Sequence, residues 1–134
     1  MWEKLIDRAF GERDKENYFP RSRWLLDYGK YKEKHPLMPD TIMIYNDKYY
    51  ILDAKCYKYG RTGIPDHLPN GSSINKQITY GEYLEKYKGV DIGSLFNAFI
   101  MPYNMADNPF KLTYFVGNIG EAIGDWRYNR KYYE

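Results

Sequence analysis

Residues 40–57, "DTIMIYNDKYYILDAKCY", hold two apolar and aromatic runs on either side of Asn46-Asp47. Two β-rich runs around a two-residue Asn-Asp link predict a β-hairpin. Neither run alternates cleanly, so the hairpin is expected in the middle of a sheet covered on both faces. Asp53 and Lys55 stand where strand-like burial should exclude charge. Either the strand leaves the core there with ordinary solvated ends, or the charges form a site.

The register bears on that choice. With Asn46-Asp47 as the turn, Tyr45 faces Lys48, Ile42 faces Ile51 and Asp40 faces Asp53. Directly opposed residues hold their Cβ atoms about 4.5–5.5 Å apart. Lys55 points to the same face as Asp53. Two carboxylates so placed repel and desolvate badly unless positive charge sits between them. Lys55 offsets part of the charge, and a divalent cation bridging both acids would offset more. All-oxygen ligands with no Cys or His favour Mg2+ or Mn2+ over zinc.

Outward from the hairpin, Trp2, Leu5, Ile6 and Ala9 form the apolar stripe of an N-terminal helix. Residues 23–31 predict a first strand, ahead of a connector ending at Pro39. Residues 56–72 read as a long loop, uncommon in compact domains unless functional or mobile. A helix is expected from Ser73, its N-cap, to Gly89. Ile74, Ile78 and Gly81 share one face of it, with Leu84 at the margin, and Gln77 falls on that stripe. A Gln among docking positions must hydrogen-bond something at the sheet. Strands over 95–103 and 112–117 follow. The order αβββαββ predicts an α/β sandwich with a central mixed sheet, its last strands reached by a helical crossover.

The 134 residues fit one domain. A net charge of +2, from 20 basic and 18 acidic residues, is too balanced to argue for nucleic acid by itself. Any polyanion site must come from local arrangement. Sixteen Tyr suit half-buried, wet surfaces. The single Cys56 excludes an internal disulfide and reads as a small buried apolar residue. His35 and His67 sit beside loop signals and read as surface groups. With no apolar run of membrane length and no signal-peptide core, the chain is expected to be cytoplasmic.

Pro39-Asp40 followed by Asp53-Ala54-Lys55 resembles the motif of the PD-(D/E)XK nuclease superfamily. "LPNGSSINKQITYGEYL", residues 68–84, is similar to the helix after that motif in restriction-enzyme families of the LlaJI, McrC and AlwI/MlyI/PleI kinds. The likeness spans about residues 37–90. It implies a restriction-endonuclease-like fold and Mg2+-dependent endonuclease activity on double-stranded DNA. Asp40 and Asp53 would be metal ligands, joined by the backbone carbonyl of Ala54. Lys55 would orient or activate the attacking water. Gln77 would sit beside the site, although Gln77-x-x-Tyr80 is one residue shorter than the related QxxxY motif. An acid from the first helix would stand near the metal; Glu3 is the candidate, with Asp7 and Glu12 competing. Lys58, Arg61, His67, Lys76 and Tyr80 would flank the DNA.

With little room for a recognition module, the chain is expected to be the cleavage domain of a larger restriction enzyme. Recognition would then lie in another domain or subunit, and a dimer would serve double-strand cleavage. The alternative is a non-catalytic nucleic-acid-binding or protein-interaction domain on the same fold.

Overall fold

The computed structural model describes residues 1–27, 29, 31–33, 36–107, 109–110 and 117–124. Its elements are α1 (Trp2–Phe10), β1 (Arg23–Leu25), β2 (Tyr31–Glu33), β3 (Thr41–Tyr45), β4 (Lys48–Ala54), α2 (Tyr59–Thr62), α3 (Gly71–Glu82) and β5 (Leu95–Ile100). A mixed sheet in the order β3-β4-β5 forms the centre, antiparallel between β3 and β4 and parallel between β4 and β5. This is an α/β architecture with helices on both sheet faces, as the element order predicts.

The hairpin closes as read from its residues. Asn46 and Asp47 both take the left-handed conformation, φ 50° and 58°, as a type I′ turn demands. The pairs Tyr45–Lys48, Ile42–Ile51 and Thr41–Leu52 are in place. Along β4, alternate residues then serve opposite layers. Leu52 and Ala54 pack with Ile6 of α1, while Ile51 packs with Tyr80 and Leu84 on the other side. Fully burying a side chain such as Ile51 contributes about 1.5–3 kcal/mol.

Helix α3 crosses from β4 to β5, as a parallel pair requires. Its N-cap is Asn70, whose side chain accepts from the Ser73 N–H at 3.0 Å, three residues before the end expected from Ser73. A π-helical turn over Tyr83–Tyr87 extends it, and Gly89, at φ 70°, ends it.

Three further expectations change. Residues 23–31 do not form a strand of the central sheet. Instead β1 and β2 make a separate antiparallel ribbon, and all of β1 is exposed because neither of its faces meets the core. The stretch 56–72 is partly ordered by the α2 turn and a 3-10 turn over Pro65–His67. Cys56 is exposed, since β4 ends at Ala54 and the chain turns off the sheet after the Lys55 N–H bonds the Ile100 carbonyl at 3.1 Å. The strand expected at 112–117 lies largely outside the described residues, as does His35.

Candidate active site

Asp40 immediately precedes β3 and Asp53 is the penultimate residue of β4, so continuing the observed pairing sets them opposite one another. Both lie on the face that α3 covers, because Asp53 alternates with Ile51. The backbone of Asp40 is anchored: the Lys15 ammonium donates to its carbonyl at 3.0 Å and to Asp7 Oδ2 at 3.1 Å. Lys15 is thus a supporting residue that its own neighbours do not reveal, being 25 positions from Asp40. Asp7, a competitor for the acid of the first helix, is engaged by this ion pair.

Two buried carboxylate oxygens, Asp40 Oδ2 and Asp53 Oδ1, have no hydrogen-bond partner. The Lys55 ammonium stands 3.7 Å from Asp53 Oδ1, an ion pair rather than a short hydrogen bond. The Lys55 side chain is 46% exposed and that of Asp53 only 13%. Burial pushes the Asp53 carboxyl up to about 6, and the Asp40 carboxyl beside it adds to the rise while Lys55 opposes both. Two hydroxyls stand near the pair. Burial, with the nearby Asp53 charge, pushes Tyr57 up to about 12. Burial, with Asp40 and then Asp53, does the same for Tyr80. Both phenols therefore stay protonated as donors. The Tyr57 hydroxyl lies near Ser73 without a well-formed hydrogen bond.

Gln77 is 1% exposed and turned to the sheet, as its place on the stripe predicts. Its Nε2 donates to the Ala98 carbonyl on β5 at 3.3 Å rather than to either acid, and its Oε1 is buried without a partner. Asn97 completes that seam: it is buried beside Ile51 in the register, and its Nδ2 donates to the Gln77 carbonyl at 2.6 Å. A single Asn in the run "LFNAFI" was the available signal for it. Tyr80 is buried among Ile51 and Leu84, so the structure places it in the core beneath the acids rather than on an open DNA-facing surface.

The basic residues distribute unevenly. Lys58 and Arg61 are exposed at the α2 turn, and Lys76 is exposed on α3. His67 is half-buried, its Nδ1 2.7 Å from Thr62 Oγ1, where it helps hold the turn. Glu3 lies within the electrostatic reach of Lys55. Its own backbone hydrogen bond, the N-terminal ammonium at 3.3 Å and Lys55 together hold its carboxyl low. Glu12 is tied by its backbone N–H to the Ile42 carbonyl at 2.7 Å, along the open edge of β3.

Among the described residues, no three His, Cys, Asp or Glu side chains group as a ready metal-ligand set. The site therefore offers two opposed carboxylates with unsatisfied buried oxygens. That donor set suits a hard cation that keeps several waters, as Mg2+ does. A cleft of about 550 Å³ lies past the end of β5, lined by Trp2, Gly60 and Met101 among others.

The raised carboxyl sets a pH dependence. Asp53 titrates at about 6 when folded against an ordinary 3.8, so its contribution to stability is complete below about pH 4. That contribution is lost as pH rises through about 6. Without divalent cation, the protein should lose about 1–2 kcal/mol of unfolding free energy between pH 4 and 7 from this group, allowing for water at the open side of the site. Urea melts in EDTA across that window would measure it. Asp53→Asn should flatten the slope; an unchanged slope would place the titration elsewhere.

No helix of the described residues is long and apolar enough to cross a membrane. A family model described as LlaJI restriction endonuclease matches residues 1–118, and the chain belongs to that family. No curated protein and no solved structure matches it.

Proposed function

We propose that this member of the LlaJI restriction endonuclease family hydrolyses phosphodiester bonds in double-stranded DNA. Mg2+ or Mn2+ would be held by Asp40, Asp53 and the backbone carbonyl of Ala54. The observation that carries the reading is the opposed acid pair, with its two unsatisfied buried oxygens and Lys55 3.7 Å from one of them. A bound divalent ion would supply charge neutralisation and an acidified water. Lys55, half-exposed and paired with Asp53, would orient the attacking water or stabilise charge on the phosphate. Gln77 holds α3 on β5 beside the acids, with the neutral phenols of Tyr57 and Tyr80 nearby. Glu3 is the acid that α1 contributes at the margin. Lys58, Arg61 and Lys76 meet the DNA backbone, with His67 in the turn between them.

On this reading the chain is the cleavage module of a larger enzyme, and target recognition lies in another domain or subunit. One such site cuts one strand, so double-strand cleavage takes a second copy. The test is a plasmid-nicking assay with Mg2+ against EDTA. Supercoiled plasmid should become nicked only with the metal. Equal cleavage in EDTA, or duplex binding with no cleavage in Mg2+ beside the partner subunit, would overturn the reading.

A further inference from the structure

The residues of β1 lie outside the described core. The β1–β2 ribbon pairs only with itself in the described sheet, and Trp24 and Leu25, which point to opposite faces, are 60% and 63% exposed. An isolated two-stranded ribbon is marginal in water and gains little from its own burial. Its sequence is also electrically distinct. Residues 21–35 contain Arg21, Arg23, Lys30, Lys32 and Lys34 against Asp27 and Glu33, a net +3. The whole chain carries +2, so all other residues together are slightly acidic.

Both feet of the ribbon stand on the acid face. Tyr18 before it and Leu37 after it pack on the cluster of Ile51, Tyr80 and Leu84. Asp40 follows the end of β2 at Glu33 by only seven positions. Seven steps along the chain span at most about 25 Å, less than the roughly 34 Å of one DNA helical turn.

The geometry points to the β1–β2 ribbon as a duplex-DNA contact, entering a groove and neutralising phosphates within the helical turn that the acid pair addresses. The inference rests on the nuclease reading for the nature of the substrate. A two-stranded ribbon fits the major groove of B-form DNA, and its cations match a duplex that presents one negative charge per about 1.7 Å. The ribbon would add a second arm to the contact expected from Lys58, Arg61, His67 and Lys76.

Anisotropy of a labelled duplex in EDTA tests the ribbon without any cleavage. Arg21→Ala/Arg23→Ala/Lys32→Ala should weaken binding at least about tenfold and lower the slope of log affinity against log salt by about 2–3. Lys4→Ala/Arg8→Ala/Arg13→Ala removes the same charge around α1 and should change affinity much less. Melting temperatures within a few degrees of wild type would show that both variants fold; Trp24→Ala, at a side chain 60% exposed, serves as a second ribbon variant. Equal losses in the two triple variants, or no duplex binding by the wild type, would overturn the proposal. So would a ribbon that proves to be a contact between copies, with sedimentation changed by Trp24→Ala and DNA affinity unchanged. Ribbon-dependent binding by a chain that never cuts would sink the nuclease reading alone; normal cutting with ribbon-independent binding would sink the ribbon alone.

Discussion

Asp53→Ala should leave the fold standing and lower Mg2+-dependent cleavage at least about a thousandfold, the scale of losing a main electrostatic stabiliser of a transition state. Asp53 faces Asp40 across the hairpin, and each holds a buried oxygen with no hydrogen bond. Deleting one carboxylate would remove half of the proposed cation site and leave a single acid. The same deletion relieves the desolvation that chiefly raises the Asp53 carboxyl, and with it the effect of the neighbouring Asp40. Folding and activity should therefore move in opposite directions. Without metal, the melting temperature should hold or rise, and adding Mg2+ should raise the melting temperature of the wild type but not of the variant. Nicking rates and thermal melts, each with and without Mg2+, would check both halves. A variant that still cuts at a tenth of the wild-type rate would remove Asp53 from the chemistry.

Lys55→Ala should cost about a hundred- to a thousandfold in cleavage rate, with a smaller change in the affinity for DNA. Lys55 is the cation that opposes the rise of the Asp53 carboxyl. Its loss should move the acidic limb of the pH–rate profile to higher pH, because Asp53 then gives up its proton later. Lys55→Arg keeps the charge and should return that limb to its place. The guanidinium differs from an ammonium in shape and hydration, so the rate itself should recover only in part. A role confined to packing would leave the pH profile alone, so an unmoved limb in Lys55→Ala would reject this one.

The parts of this site that were legible in the sequence are those governed by local rules. The Asn46-Asp47 turn sets the register, the register opposes Asp40 and Asp53, and alternation places Lys55 with Asp53. Gln77 was readable because an amide on an apolar stripe needs a partner, though not that its partner would be the Ala98 carbonyl. What escaped depends on tertiary contact. Lys15 looks like any loop lysine until the chain brings it under Asp40. Arg23 to Leu25 carry the β-forming residues of a core strand, and nothing local tells that the ribbon folds away from the sheet. Tyr80 reads as a surface aromatic beside lysines, yet the turn of α3 that holds Gln77 and Ile78 carries it inward as well. Asn70 takes the cap because its side chain bonds the Ser73 N–H, a choice that "NGSS" leaves open between several residues.

The type I′ turn also orders events in time. A hairpin of this span closes in about 1–10 μs, whereas Tyr49 finds Leu95 across 46 positions and waits for the whole crossover between them. The two acids therefore meet while water still surrounds them and screens their repulsion. The desolvation that lifts Asp53 arrives only when α3 and β5 close over the hairpin, so the late docking step carries the electrostatic cost. Refolding without divalent cation should accordingly be faster at pH 5 than at pH 7 in that step, and the difference should vanish in Asp53→Asn.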